Sequence, residues 1–331
     1  MQTINIIGGS GFIGTRLAGR LASNSGLTVK IIDKALSKAH PDLATLGDVR
    51  SLDQLRRLVS ERSVIINLAA EHRDDVRPSS LYEEVNVGGA ENICIVAREK
   101  NVQTIVFTSS VAVYGFAPIG TDESGKIAPF NDYGRTKYEA EQVFKRWQAE
   151  APEDRSLVII RPTVVFGEQN RGNVYSLLRQ VSSGRFLMIG RGENRKSMAY
   201  VENVAAFLEF SISFKPGVHL YNFVDKPDFT MNALVARVNR ILGRTEKIRF
   251  KLPFAVGFFI ARGFDLAASL TGRKFAISSI RVKKFCANSI YSTAIDDTGF
   301  VPPVPLEQAL EKTVKYEFLE SHKHDGVFYT E

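Results

Sequence analysis

The sequence predicts an α/β fold, a Rossmann-type doubly wound parallel sheet with a smaller C-terminal α/β lobe. Three observations carry that prediction. Short β-branched runs alternate with amphipathic helical patterns through the first half of the chain. A glycine-rich turn joins the first strand-like run to the first helical pattern. After about residue 166 the rhythm changes, and glycine, asparagine and arginine become frequent up to residue 195.

The elements follow in order. Strands are expected at 4–7, 28–33, just before Asp48, and at 64–68, 104–108 and 157–160. Their near-continuous apolar character fits parallel strands covered on both faces. Helical periodicity marks 12–22, 52–60, 81–100 and 133–149. Beyond the break, 219–224 reads as a strand, Asp225-Lys226-Pro227-Asp228 as a turn and 231–242 as a helix.

Composition narrows the possibilities. With 331 residues, 44% hydrophobic and 24% charged, the chain is ordinary globular material, which excludes disorder and fibrous repeats. Two cysteines, Cys94 and Cys286, exclude a disulfide framework, and five histidines without ligand spacing argue against a metal site. The net charge of +7 is local: eleven basic and two acidic residues lie between Arg240 and Lys284, an excess of +9 on a body of −2. A nucleic-acid coat is excluded by that distribution, and an anionic ligand or an anionic membrane surface is favoured. The chain opens directly on a strand-like run without a leader pattern, so a cytoplasmic protein is expected. The most apolar stretch, 252–270, contains Arg262 and Asp265 and is too polar to span a bilayer. Its basic flanks suit a helix lying on anionic lipid. A buried helix or a dimer contact has the same pattern.

The turn is Gly8-Gly9-Ser10-Gly11-Phe12-Ile13-Gly14. Glycines there let the backbone turn sharply and approach a pyrophosphate, and the helix that follows offers free N–H groups and a positive dipole end. Asp33 closes the second strand, where a carboxylate accepts hydrogen bonds from adenosine ribose and repels a 2′-phosphate. NAD is therefore expected over NADP, with Lys34 adjoining. Asp48 and Val49 are expected beside the adenine, and Leu68, Ala69 and Ala70 end the fourth strand with small residues against which a cofactor can pack. This places a dinucleotide domain at 1–170, with 198–225, and a substrate domain at 171–197 and 226–331.

Tyr133 and Lys137 stand four apart, on one helical face. A tyrosine near its ordinary pKa of about 10 is a poor base at neutral pH. A neighbouring ammonium favours the phenolate and is expected to lower it. Ser109 and Ser110 end the strand at 104–108, 23 residues before Tyr133. Ser110 can bond a sugar hydroxyl and stabilise oxygen charge. Ser109 is expected to touch cofactor or backbone.

The glycine loop, Asp33, the Ser110 strand end and the Tyr133/Lys137 pair together resemble the extended short-chain dehydrogenase/reductase superfamily, in its sugar epimerase/dehydratase branch. More narrowly, the segments at 69–76, 161–168, 171–175, 196–201 and 279–286 resemble the bacterial N-acetylglucosaminyl-diphospho-undecaprenol 4-epimerases. The resemblance implies NAD as cofactor, with further contacts from Asn86, Ser109 and Pro162, and catalysis by Ser110, Tyr133 and Lys137. It implies a sugar-diphosphate substrate held by Ser110, Asn173, Lys196 and Arg281, a homodimer, and a site at the inner face of the cytoplasmic membrane in surface-polysaccharide synthesis. Sugar-nucleotide epimerases usually carry asparagine where this chain has Val164, and arginine-aspartate where it has Lys196-Ser197. Both departures fall on the substrate side and argue against a UDP-sugar. The alternatives are a UDP-glucose or UDP-N-acetylglucosamine 4-epimerase, or a net 4-keto-sugar reductase.

Overall fold

The computed structural model describes residues 1–73, 76–248, 250–271, 278–322 and 326–330; the side chains of residues 270, 281 and 284 lie outside that description. The strands in chain order are β1 (Gln2–Ile7), β2 (Leu27–Asp33), β3 (Ala44–Leu46), β4 (Val64–Asn67), β5 (Thr104–Thr108) and β6 (Ser156–Pro162). Then come β7 (Val164–Phe166), β8 (Met188–Ile189), β9 (Arg195–Tyr200), β10 (Gly217–Phe223), β11 (Asp225–Thr230) and β12 (Lys251–Leu252). The helices are α1 (Phe12–Ala22), α2 (Leu52–Leu58), α3 (Ser80–Tyr82), α4 (Gly89–Glu99), α5 (Asp132–Ala149) and α6 (Asn173–Ser182). They continue as α7 (Val201–Ser211), α8 (Met231–Ile241), α9 (Phe254–Thr271), α10 (Ser279–Cys286) and α11 (Leu306–Phe318).

Seven strands form one sheet in the order β3-β2-β1-β4-β5-β6-β10. All neighbours are parallel. Strand alternation divides the core. Ile4, Ile6, Ile31, Ile66, Val106 and Val158 pack with α1 and α7 on one face. Ile7, Ile32, Ile65, Ile105, Phe107 and Ile159 pack with α2, α4 and α5 on the other. Each such large apolar side chain contributes roughly 1.5–3 kcal/mol on burial. The strand order reverses between β1 and β4, and in sheets of this kind ligands bind in the crevice outside the carboxyl ends at that point.

The later residues rejoin this body before leaving it. Helix α7 packs on α1 and β10 completes the sheet. A second core gathers α6, α8 and α11 around Phe166, Met198, Phe229 and Leu234. It is roofed by the small sheet β11-β9-β7.

Two expectations change, and one left open is narrowed. The helix expected over 81–100 is interrupted by a π-helical segment, Glu83–Gly88. Its wider turn directs Asn86 inward, where the amide exchanges bonds of 2.9 and 3.1 Å with the backbone of Glu71 and donates to Thr136 Oγ1 at 2.9 Å. The turn expected at 225–228 lies within strand β11, antiparallel to β9 with an irregular register between Asp225 and Phe229. Asp225 is buried there because it accepts from Tyr200 N at 2.6 Å and Asn203 Nδ2 at 2.9 Å. The apolar stretch at 252–270 forms α9, and this helix is not buried: Gly257 and Ala261 are its buried positions among the described residues, while Phe259 is 73% exposed. No described helix is long and apolar enough to cross a membrane.

Candidate active site

The glycine loop lies at the strand-order reversal. Gly8 takes φ +78°, and a Cβ there would meet Ala69 N at 2.5 Å, so the loop after β1 packs directly on the loop after β4. Helix α1 starts at Phe12 without a side-chain cap. Its first intrahelical bond runs from Thr15 N to Gly11 O, which makes the N–H groups of Phe12, Ile13 and Gly14 the orphan donors of the helix end. Asp33 is locked beside this loop, accepting from Ser10 N at 3.0 Å and Ala35 N at 3.1 Å. A cradle with orphan N–H donors, a close backbone approach and a fixed carboxylate fits a dinucleotide.

The remaining cofactor candidates cluster around it. Lys34 Nζ reaches Glu71 Oε1 at 2.8 Å, bridging the loops after β2 and β4. Asp48 pairs with Arg50 at 2.6 Å, and this hydrogen-bonded guanidinium holds its carboxyl below the ordinary range. Val49 is buried against α4. Leu68, Ala69 and Ala70 follow β4 and are half-buried. Pro162 ends β6, paired in register with Phe223. Asn86 makes its bonds to protein groups, as described above.

Ser110 caps the short 3-10 helix Val111–Tyr114, accepting from Ala112 N at 3.1 Å. Helix α5 opens nearby with Asn131 as its cap, accepting from Gly134 N at 3.0 Å. Gly134 permits that approach: a Cβ there would lie 2.5 Å from Ala112 O. Tyr133, in the same first turn, is thereby set beside Ser110.

The electrostatics differ from the expectation at Tyr133. Burial pushes its phenol up, and the Ser110 hydroxyl alone opposes that shift. Lys137 is buried with its Nζ 4.3 Å from the centre of the Phe107 ring. Burial pushes its pKa down to about 7, with the Glu141 carboxylate pulling the other way. The ammonium thus pays the desolvation cost of its own position, and the chain by itself does not lower the phenol.

Behind the pair lies a buried network that sequence reasoning missed. Glu141 accepts from Ser109 Oγ at 2.5 Å and from Arg161 Nε and Nη2 at 2.8 and 2.5 Å. Arg161 also donates to Tyr114 Oη at 2.6 Å, and Tyr114 donates to Asn222 Oδ1 at 2.8 Å. This chain of bonds ties together β5, α5, β6 and β10 beneath Ser110. Ser109 is thus turned into protein. One signal was available: Glu141 lies four residues after Lys137 and eight after Tyr133, on the same helical face.

The substrate-side candidates are more scattered. Asn173 is exposed as the first residue of α6. Lys196 lies in β9, where burial pushes its pKa down to about 8 against the opposing effect of Cys286. Arg281 belongs to α10 but its side chain lies outside the described residues, as do Arg249, Arg273 and Lys274 of the basic window. Among the described residues no cluster of histidine, cysteine and carboxylates could hold a metal ion.

Comparison with known proteins gives a consistent picture. The model of the NAD dependent epimerase/dehydratase family matches residues 4–222. The N-acetyl-alpha-D-glucosaminyl-diphospho-ditrans,octacis-undecaprenol 4-epimerase of Escherichia coli O157:H7 is 45% identical over 332 residues, spanning 100% of this chain and 99% of that protein. UDP-glucose 4-epimerase of Vibrio cholerae is 27% identical over 334 residues, 97% of each chain. The crystal structure of the Thermotoga maritima UDP-glucose 4-epimerase shares the fold, with a TM-score of 0.74 at 21% identity over 95% of this chain and 98% of that one. On its glycine cradle, its Tyr133/Lys137 helix and these matches, the chain belongs to the NAD dependent epimerase/dehydratase family.

Proposed function

We propose that the chain is an NAD-dependent 4-epimerase that interconverts GlcNAc and GalNAc on diphospho-undecaprenol, in bacterial surface-polysaccharide synthesis. The observation that carries this reading is the full-length 45% identity to an enzyme named for that reaction. Val164 and Lys196-Ser197, at positions where UDP-sugar epimerases usually differ, support the lipid-linked substrate.

The orphan N–H groups of Phe12, Ile13 and Gly14, with Gly8 and Gly11, would hold the pyrophosphate of NAD. Asp33 would take the adenosine ribose, with Lys34 alongside. Asp48 and Val49 would border the adenine. Leu68, Ala69, Ala70 and Pro162 would wall the nicotinamide half, with Asn86 and Ser109 bonded to protein groups behind that wall. Bound NAD supplies a reversible hydride acceptor for the sugar C4. Tyr133 takes the C4 hydroxyl proton and later returns it, Ser110 bonds the same oxygen, and Lys137 would help to hold the nicotinamide ribose. The 4-keto sugar turns within the pocket and is reduced on its other face, so net redox change is zero. Asn173, Lys196 and Arg281 would meet the diphosphate.

In this reading residues 1–170 with 198–225 form the cofactor domain, and 171–197 with 226–331 form the substrate domain. The packing of α7 on α1 and the return of β10 to the main sheet support placing 198–225 with the cofactor domain, while the second core, through Phe166 and Met198, bridges the two. The enzyme acts as a homodimer at the inner face of the cytoplasmic membrane, without nucleic acid. Helix α9 supports the membrane contact: Phe254, Val256, Phe259, Ile260 and Leu266 are exposed, and Lys251, Arg262 and Lys283 lie on or near it.

The test is incubation with GlcNAc-diphospho-polyprenol in anionic vesicles and, separately, with UDP-GlcNAc and UDP-glucose. The expected result is GalNAc from the lipid-linked sugar, and salt-sensitive sedimentation of the protein with anionic vesicles. Conversion of the nucleotide sugars alone would overturn the substrate, and equal sedimentation with neutral vesicles would overturn the membrane contact.

A further inference from the structure

Residues 326–330 lie across the carboxyl edge of the central sheet. They alternate in facing: Gly326, Phe328 and Thr330 are half-buried, while Val327 and Tyr329 are exposed. Each inward residue meets a different loop. A Cβ on Gly326 would sit 3.8 Å from Lys38 Cδ, on the loop after β2. The Phe328 ring lies 5.8 Å from that of Phe12, the first residue after the glycine turn that follows β1. The backbone of Thr330 faces the His72 ring, on the loop after β4. Strands β2, β1 and β4 are adjacent in that order. Four extended steps span roughly 13 Å, against about 10 Å between the outer two of three strands, so the segment is long enough for this crossing.

The crossing is anchored. Phe328 N donates to Gln169 O at 2.9 Å and Arg171 N donates to Phe328 O at 2.7 Å. Thr330 Oγ1 donates to Asn170 Oδ1 at 2.6 Å. The anchoring residues are themselves fixed by α11, through Gln169 N to Glu317 Oε1 at 2.7 Å and Arg171 to Glu317 at 2.8 Å.

We infer that the inward-facing residues of this segment, Gly326, Phe328 and Thr330, form the outer wall of the dinucleotide cleft and retain NAD in the chain. The inference rests on the cofactor site proposed above. A zero-net-redox reaction has no need to release its cofactor, and a bonded wall at the strand-order reversal makes that release slow. NAD leaves when the Phe328 ring and the bonds to residues 169–171 detach.

Four forms test this: the parent chain, a chain ending at residue 325, Phe328→Ala and the outward-facing Tyr329→Ala. Each is loaded with NAD, and occupancy after desalting and the release rate into a trap of excess labelled NAD are measured. Far-UV circular dichroism and melting temperature establish folding. Release is expected to rise roughly tenfold in the shortened chain and in Phe328→Ala, in keeping with loss of an aromatic pair expressed in the off-rate. Tyr329→Ala should release NAD at the parent's rate. If the shortened chain does not fold, Phe328→Ala decides, because it alters one half-buried side chain at the rim. A parent that holds NAD, with a folded Phe328→Ala that releases it no faster, overturns the inference alone. A parent that takes up no NAD overturns the cofactor site as well.

Discussion

Replacing Tyr133 by phenylalanine is expected to cut turnover by roughly 10²–10⁴-fold, the usual contribution of a positioned acid–base group. The ring still fills its place in the first turn of α5, and Gly134 still meets Ala112, so the fold is kept. What goes is the single hydroxyl beside Ser110. NAD content should stay at the parent level, because the glycine cradle and Asp33 are untouched. Turnover measured with NAD occupancy in the same samples checks both halves of the claim. Activity within about tenfold of the parent would remove Tyr133 from the role of base.

The second large effect is on stability. Arg161 and Glu141 side chains are 2% and 0% exposed and pair at 2.5 Å. Removing one partner leaves the other charge buried and uncompensated, which costs about 3–5 kcal/mol. Arg161→Met should therefore lower urea-unfolding stability by about that amount. It also strips Tyr114 of a donor. The double change Arg161→Met with Glu141→Leu should recover much of the loss, since neither charge then remains. A single variant within about 1 kcal/mol of the parent would show the pair to be solvated in solution.

The cofactor half of the site was legible because its signals are local. Gly8 to Gly14 are contiguous, Asp33 ends the next strand, and Tyr133 and Lys137 share a helical face. Bonds between distant residues were not legible. The Glu141–Arg161 pair is separated by 20 residues and the Tyr114–Asn222 bond by 108; the helical face marks Glu141, but nothing local announces its partner or the second bond. Asn86 shows the same limit. The resemblance implies a cofactor contact for it, but its bonds to Glu71 and Thr136 depend on the π-helical segment, which no local pattern signals.

Burial was the other hidden quantity. Sequence spacing brings an ammonium near Tyr133, but only the packed structure shows that Lys137 is itself desolvated over Phe107. At α9 the uncertainty ran the other way. An apolar stretch cannot declare whether it is covered, and here most of its large side chains remain exposed. The Asp225 turn signal failed because a buried strand can carry polar residues when Tyr200 and Asn203 satisfy them.

The central claim is that one sugar carbon is oxidised and re-reduced within a single binding event. Lipid-linked GlcNAc carrying deuterium at C4 tests it most directly. After conversion in the presence of unlabelled NAD, the GalNAc product is predicted to keep its deuterium at C4, with none in solvent or in the free NAD pool. Loss of the C4 label to solvent or to added NAD would contradict the account.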